Sequence, residues 1–155
     1  MAATGVNMRR AYMQAALAEA KAALDQGEVP VGAVVVQDGK IIACAHNERE
    51  ALCDPTAHAE VLALRRAARL LGRRRLSDCT LYVTLEPCPM CAGAIVMADV
   101  GSVVYGAADE QAGCAGSVYA LPEDPAFGKK IPCMGGLMEN ACREVLNTFF
   151  EERRE

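Results

Sequence analysis

The stretch TLYVTLEPCPMCAGAIVMA (80–98) decides how the chain is read. Its first six residues are a β-branched and aromatic run, which predicts a strand over 80–85. Glu86-Pro87 breaks that run, because a proline cannot donate to a sheet ladder. A helix is expected to open at about Cys88. Its body, MCAGAIVMA (90–98), is apolar on every side, so it belongs in a core or an interface. Two cysteines two residues apart at a helix start can bring both sulfurs to one point, where the positive helix end favours thiolates.

A second helix start lies upstream. Residues 47–57 read as a polar loop ending in Asp54-Pro55-Thr56, and a helix then carries His58-Ala59-Glu60 in its first turn and stops at Gly72. Val61, Leu64, Ala68 and Leu71 are expected inward. Arg65, Arg66, Arg69, Arg73, Arg74 and Arg75 form a run with no acid among them. That run reads as a solvated helix face or as a patch for a polyanion or a partner.

Before this helix, VGAVVV (31–36) and KIIACAH (40–46) flank Gln37-Asp38-Gly39, and the Asp-Gly pair predicts a hairpin. A first helix is expected from an N-cap at Asn7 to Gly27, with Met13, Ala16, Leu17, Ala20 and Leu24 buried. After residue 98 come a short strand (102–106), a Gly-rich loop (107–117), a short helix or edge strand near 130–134, and an amphipathic helix over 137–152. Met138, Ala141, Val145 and Phe149 lie on one side of that last helix. The order α-β-β-α-β-α-β-(β)-α predicts a three-layer α/β domain with a mixed sheet, occupying residues 1–155 as one unit.

Composition agrees. The chain has 155 residues, 52% of them hydrophobic and 23% charged, with a net charge of −4. No apolar run reaches the roughly 18 residues of a membrane span, and the N-terminal stretch has no signal-like apolar segment, so a cytoplasmic protein without membrane partners is expected. Eight cysteines could mean disulfides. In a reducing compartment their spacing points instead to metal or catalysis. Cys44, Cys79, Cys114, Cys133 and Cys142 read as small buried hydrophobes.

His58, Cys88 and Cys91 together supply three ligands for a tetrahedral ion. The open fourth position is what distinguishes a catalytic zinc site from a structural one. Glu60 can lean into such a site without ligating and carry protons. The competing reading is a structural Cys₃His site with Cys53 or Cys79 as fourth ligand. A redox pair would leave His58-x-Glu60 unexplained.

His-x-Glu with Pro-Cys-x-x-Cys is the signature of zinc-dependent nucleobase deaminases. The chain resembles the bacterial tRNA-specific adenosine deaminases of the cytidine deaminase superfamily. The resemblance is carried by GEVPVGAVVV (27–36), HN (46–47), DPTAHAEVLALR (54–65), LYVTLEPCPMCAGAI (81–95), VVYGAADEQAGCAGS (103–117) and FFEERR (149–154). It implies an α/β/α sandwich on a five-stranded mixed sheet, one Zn²⁺ per subunit, a homodimer, and conversion of adenosine to inosine at the wobble position of a tRNA anticodon. It further implies that Asn47 and Asp109 contact the target nucleotide, that Pro30 and Pro87 line its pocket, and that the terminal helix with Phe149, Arg153 and Arg154 packs on the anticodon loop. Bacterial guanine deaminases share much of DPTAHAEV and EPCPMC. Pro30-Val31-Gly32, the full TLEPCPMCAGA match and the Phe-Phe-x-x-Arg-Arg end favour the tRNA enzymes. Gln111, Ala108, Glu151 and Gly128-Lys129 depart from that pattern at positions that bear on RNA contact, and Lys129, Lys130, Arg153 and Arg154 are the candidates for a basic rim. The alternatives are deamination of a free guanine- or cytosine-type base or nucleoside, and an inactive zinc-stabilised subunit that binds RNA or a partner. The carboxylate of Glu60 argues against the latter.

Overall fold

The computed structural model describes residues 5–153. Its elements are α1 (Gly5–Asp25), β1 (Gly32–Gln37), β2 (Lys40–His46), α2 (Ala59–Leu71), β3 (Cys79–Leu85), α3 (Pro89–Ala98), β4 (Ser102–Ala107), β5 (Cys133–Met134) and α4 (Glu139–Glu152). The strands form one sheet in the order β2-β1-β3-β4-β5. The β1 strand runs antiparallel to β2 and β3, and the β3-β4 and β4-β5 pairs are parallel. This is the mixed five-stranded sheet expected.

The strand period of two divides the core into layers. On one face Val34, Val36, Tyr82 and Val104 pack with Tyr12, Met13, Ala16 and Leu17 of α1 and with Cys142 and Val145 of α4. On the other, Ala33, Val35, Leu81, Val83 and Val103 meet Leu62 and Ala63 of α2 and Ile95 of α3. Helices thus cover both faces, which is why β1 and β3 are largely apolar on both sides, with the buried Thr84 hydroxyl accepting the Gly32 amide. The β1-β2 turn is the predicted one: Asp38 and Gly39 both have positive φ (50° and 76°), as a two-residue hairpin turn with the sheet's twist requires.

Several expectations are corrected. Helix α1 is already formed at Gly5, so Asn7 lies inside its first turn and is not its N-cap. Ala23 is buried, while Leu24 is only half-buried. In α2 the residues closest to the sheet include Ala59, Ala63 and Ala67, because small side chains let a helix approach a sheet. Val61, Ala68 and Leu71 are half-buried on its flank. Cys44 is exposed, since β2 is the sheet's edge, and Cys133 is half-buried. Residues 121–123 and 125–127 form two single 3₁₀ turns, and the edge strand shrinks to Cys133–Met134. Helix α4 begins at Glu139, and its buried residues are Cys142, Val145, Leu146 and Phe149.

The topology sets the location of a site. Parallel strands β3 and β4 end side by side at Leu85 and Ala107, and the carboxyl ends of such strands are where open α/β sheets bind ligands. The N-termini of α2 and α3 open at this same edge.

Candidate metal centre and substrate cavity

His58 is the N-cap of α2 and Cys88 the N-cap of α3, and neither side chain bonds the amides of its own helix. Both are therefore free to point at a common centre. His58 Nδ1 lies 3.6 Å from Cys88 Sγ and 3.4 Å from Cys91 Sγ, and the three ligand atoms fall within 4.8 Å of one another. Among the described residues no fourth His, Cys, Asp or Glu joins them. Cys53 is exposed and turned to the Glu50 carbonyl, and Cys79 sits beside Asp78, so the Cys₃His alternative lacks its fourth ligand.

The three groups share protons tightly. Hydrogen bonding from Cys91 and His58 outweighs burial and brings the Cys88 thiol down to about 4. Cys91, which donates to it, is pushed upward, and Cys88 raises His58. Two cysteine sulfurs and an imidazole nitrogen at two positive helix ends are a group that could hold a metal ion, which would bind the cysteines as thiolates.

Glu60 is buried, 3% exposed, and burial pushes its carboxyl upward. It lines, with His58, Cys88, Asn47, Asp109, Val29, Val31 and Glu86, a cavity of about 230 Å³. That is below the roughly 300–1,000 Å³ of drug-sized clefts and suits a small planar group. Two further recesses adjoin it, and Val29 borders all three. One, about 450 Å³, lies between loop 108–111 and α4, with Arg143 and Phe150 in its wall. The other, about 240 Å³, holds Arg49, Arg153, Phe149 and Phe150.

Other expected residues are placed as follows. Asn47 Oδ1 accepts the Ala59 amide at 2.7 Å, which ties the end of β2 to the start of α2, and the residue lines the central cavity. Asp109 Oδ1 accepts the amides of Gln111 and Ala112 at 3.0 and 3.1 Å. Pro30 and Pro87 are buried, and the neighbouring Val29, Val31, Glu86 and Cys88 supply the cavity lining in their place. Phe149 is 7% exposed beneath the Arg153 guanidinium, which lies 4.2 Å from its ring centroid; Phe150 is the exposed ring of the pair. Arg153 also donates to the Gly27 carbonyl at 2.7 Å. Arg154 lies outside the described residues. Lys129 and Lys130 line none of the three recesses. Lys129 pairs with Asp99 at the far end of α3, about 15 Å along the helix from Cys88, and Lys130 with Glu123.

Four residues of the site escape sequence reasoning. Arg49 and Arg143, in the recess walls, sit in segments that read as ordinary polar surface. Glu28 and Glu86 are buried carboxylates, each 2% exposed. Glu28 accepts the amides of Glu50 and Ala51, pinning one rim loop. Glu86 does the same for the other, through Asp109, Ala115 and Ser117. Burial would raise the Glu86 carboxyl, but these hydrogen bonds prevail and hold it below its usual range. The one signal in the sequence is a charged residue placed directly after an apolar strand.

The sequence matches the MafB19-like deaminase family over residues 7–152. It is 48% identical to the tRNA-specific adenosine deaminase of Bacillus subtilis (strain 168), across 92% of this chain and 89% of that one. A solved structure from work on A-to-I editing by tRNA:A34 deaminases superposes with a TM-score of 0.84 at 42% identity, covering 88% of this chain and 99% of that one. The guanine deaminase of Bacillus subtilis gives a TM-score of 0.62 at 37% identity, over 94% and 93%. With this fold, this site and these likenesses, the chain belongs to the family of tRNA-specific adenosine deaminases.

Proposed function

We propose that this chain deaminates adenosine to inosine hydrolytically at the wobble position of a tRNA anticodon. The observation that carries the reading is a buried carboxylate, Glu60, beside a three-ligand centre in a base-sized cavity that continues into two recesses edged by Arg49, Arg143 and Arg153. A free base needs only the central cavity. A nucleotide within a loop needs space and cations for its neighbours, and an anticodon loop presents its bases already unstacked.

His58, Cys88 and Cys91 would hold one zinc per chain. When bound, the zinc would supply a nucleophilic water at neutral pH. Glu60 takes a proton from the attacking water as it adds to C6 of adenine. The same carboxyl passes that proton to N1 of the ring, then takes the proton of the new C6 hydroxyl and delivers it to the exocyclic amine, which departs as ammonia as the C6 carbonyl forms, so water and adenosine are converted to inosine and ammonia. Its burial favours the protonated form between transfers. The Asn47 NH₂ and the free oxygen of Asp109 orient the nucleotide, while Phe150 and Arg153 face the flanking loop and Phe149 supports them as the buried ring beneath Arg153. The two buried prolines, Pro30 and Pro87, stiffen the backbone on either side of the lining residues.

A homodimer is part of the reading. Met90 and Met97 of α3 are 37% and 76% exposed, and Met97 joins Val61, Leu64, Ala68, Ala94 and Ala98 on an apolar surface. No helix among the described residues is long and apolar enough to cross a membrane, and a tRNA substrate supports a cytoplasmic location. Parallel incubation with a tRNA bearing an anticodon-loop adenosine, free adenosine, guanine and cytosine tests the function. Inosine and ammonia from the tRNA alone are expected; turnover of only a free base would overturn the RNA reading.

A further inference from the structure

Between the metal centre and the larger recess stands the loop after β4. It contains no regular structure, yet its backbone is closely held. The amide of Asp109 donates to Glu86 Oε1 at 3.0 Å, and those of Ala115 and Ser117 to Oε2 at 3.0 and 2.9 Å. The Ser117 hydroxyl adds a further hydrogen bond to Oε1. Glu86 has no cationic partner within 4 Å among the described residues, and its carboxylate is devoted to this loop. The loop in turn lies against it so closely that a Cβ at Gly113 would collide with the Glu86 carboxyl group and the Asp109 carbonyl. Two backbone bonds flank the arrangement, Glu86 N to Ala107 O and Cys114 N to Pro87 O, both 2.8 Å. From outside, Arg143 donates to the Ala108 carbonyl at 3.1 Å.

We propose that Glu86 is a positioning residue: it fixes the 109–117 loop as one wall of the substrate cavity and thereby governs capture of the nucleotide. Asp109 and Ala112, on this loop, line the cavity together with Glu86. The groups assigned to the chemistry are held separately, His58 and Glu60 by α2 and Cys88 and Cys91 by α3. Loosening the wall therefore disperses Asp109 without displacing Glu60. The inference rests on the nucleotide-deaminase reading above for its substrate, and on hydrogen bonding alone for its structural part.

Three variants test it. Glu86→Gln keeps the shape but turns an NH₂ toward amides that need an acceptor. Glu86→Ala removes the acceptor altogether. Ser117→Ala removes one loop-side partner and leaves the core intact. Each is compared with the unaltered protein for metal content, amide hydrogen exchange, and kcat and KM on an anticodon stem-loop RNA. Glu86→Gln should raise KM about tenfold or more while kcat holds within about threefold, since an unpaired buried donor is costly. Exchange should speed up at the amides of Asp109, Ala115 and Ser117 and stay slow in α3. Ser117→Ala should move both readouts in the same direction by a smaller amount, and it decides the matter if the Glu86 variants do not fold. Glu86→Ala should exceed Glu86→Gln. A fall in kcat at constant KM, loss of metal, or unchanged exchange and KM would overturn the proposal. If the unaltered protein does not turn over the RNA, the nucleotide reading fails, while the exchange result still decides whether Glu86 holds the loop.

Discussion

The Ala59 amide donates to Asn47 Oδ1 at 2.7 Å, so a residue assigned to the substrate also caps the helix that carries His58 and Glu60. The two roles use different atoms and can be separated. Asn47→Asp keeps the oxygen acceptor and loses the NH₂ donor. Asn47→Ala loses both. Thermal unfolding should show Asn47→Ala less stable by about 1 kcal/mol, the usual loss for a helix cap, with Asn47→Asp near the unaltered protein. Both should lose about 10-fold or more in kcat/KM, the cost of one buried hydrogen bond to the substrate. Equal stability for the two variants would remove the capping role, and full activity in Asn47→Asp would remove the substrate role.

Glu60→Gln tests proton transfer. The residue is buried and its ionised form is disfavoured by desolvation, so the amide should fit without loss of stability. Turnover should fall about 10²–10⁴-fold, the usual contribution of a proton carrier, with zinc content unchanged. Near-wild-type turnover, or a loss of metal equal to the loss of activity, would rule out the assignment.

How much of this was present in the sequence depends on distance along the chain. His58, Glu60, Cys88 and Cys91 were legible because each pair sits within one helical turn, where spacing alone fixes direction. The Asp38-Gly39 turn was legible because few dipeptides accept two positive φ values. What sequence reasoning misses depends on packing between remote segments. Periodicity assigns the inward face of α2 to Val61, Leu64, Ala68 and Leu71; Leu64 is buried, but the rest of the buried apolar face is Ala59, Leu62, Ala63 and Ala67, where small side chains allow close approach to the sheet. Glu86 reads as part of a strand break because its partners at 109, 115 and 117 come from a loop over twenty residues away. The need of an RNA substrate for a basic rim makes Lys129 and Lys130 candidates for the edge of the pocket. The fold carries them toward the far end of α3, where acids already pair with them.

The metal is tested by removal. Cys88→Ala should reduce zinc from about one per chain to near none by elemental analysis, with loss of activity and a lower melting temperature. Cys53→Ala and Cys79→Ala should retain it, because neither thiol joins the three-ligand cluster. Zinc loss in either of those two would reinstate a four-ligand structural site.

Assembly turns on α3. Met97 is 76% exposed on a largely apolar surface flanked by Arg65 and Arg74. Met97→Glu should convert a micromolar dimer to monomer in sedimentation. A methionine buried once per subunit contributes about 1.5–3 kcal/mol on each side of a twofold interface, enough to weaken Kd by roughly 100-fold or more. If the unaltered protein already sediments as a monomer, the dimer reading is wrong.

The rim arginines decide between RNA and a free base. Arg49 borders both the central cavity and the smaller recess and forms no ion pair within 4 Å among the described residues, so reversing its charge breaks no internal salt bridge. Arg153 is less clean, because it also holds the Gly27 carbonyl and lies over Phe149. A reversal there would loosen the end of α4 as well as remove a cation. Arg49→Glu is therefore the primary variant, with Arg153→Glu/Arg154→Glu as a second. Binding of tRNA should weaken in both and depend less steeply on salt. The slope should fall by about 0.7 for each single-strand phosphate that the protein no longer neutralises. Arg153→Lys should keep the salt slope while losing the stack on Phe149, which separates charge from packing. Zinc content should not change in any of them. If Arg49→Glu leaves tRNA turnover and its salt response untouched, the flanking recesses do not hold phosphates. The central cavity would then be the whole site, and a free nucleobase, oriented by Asn47 and Asp109, would be the substrate to pursue.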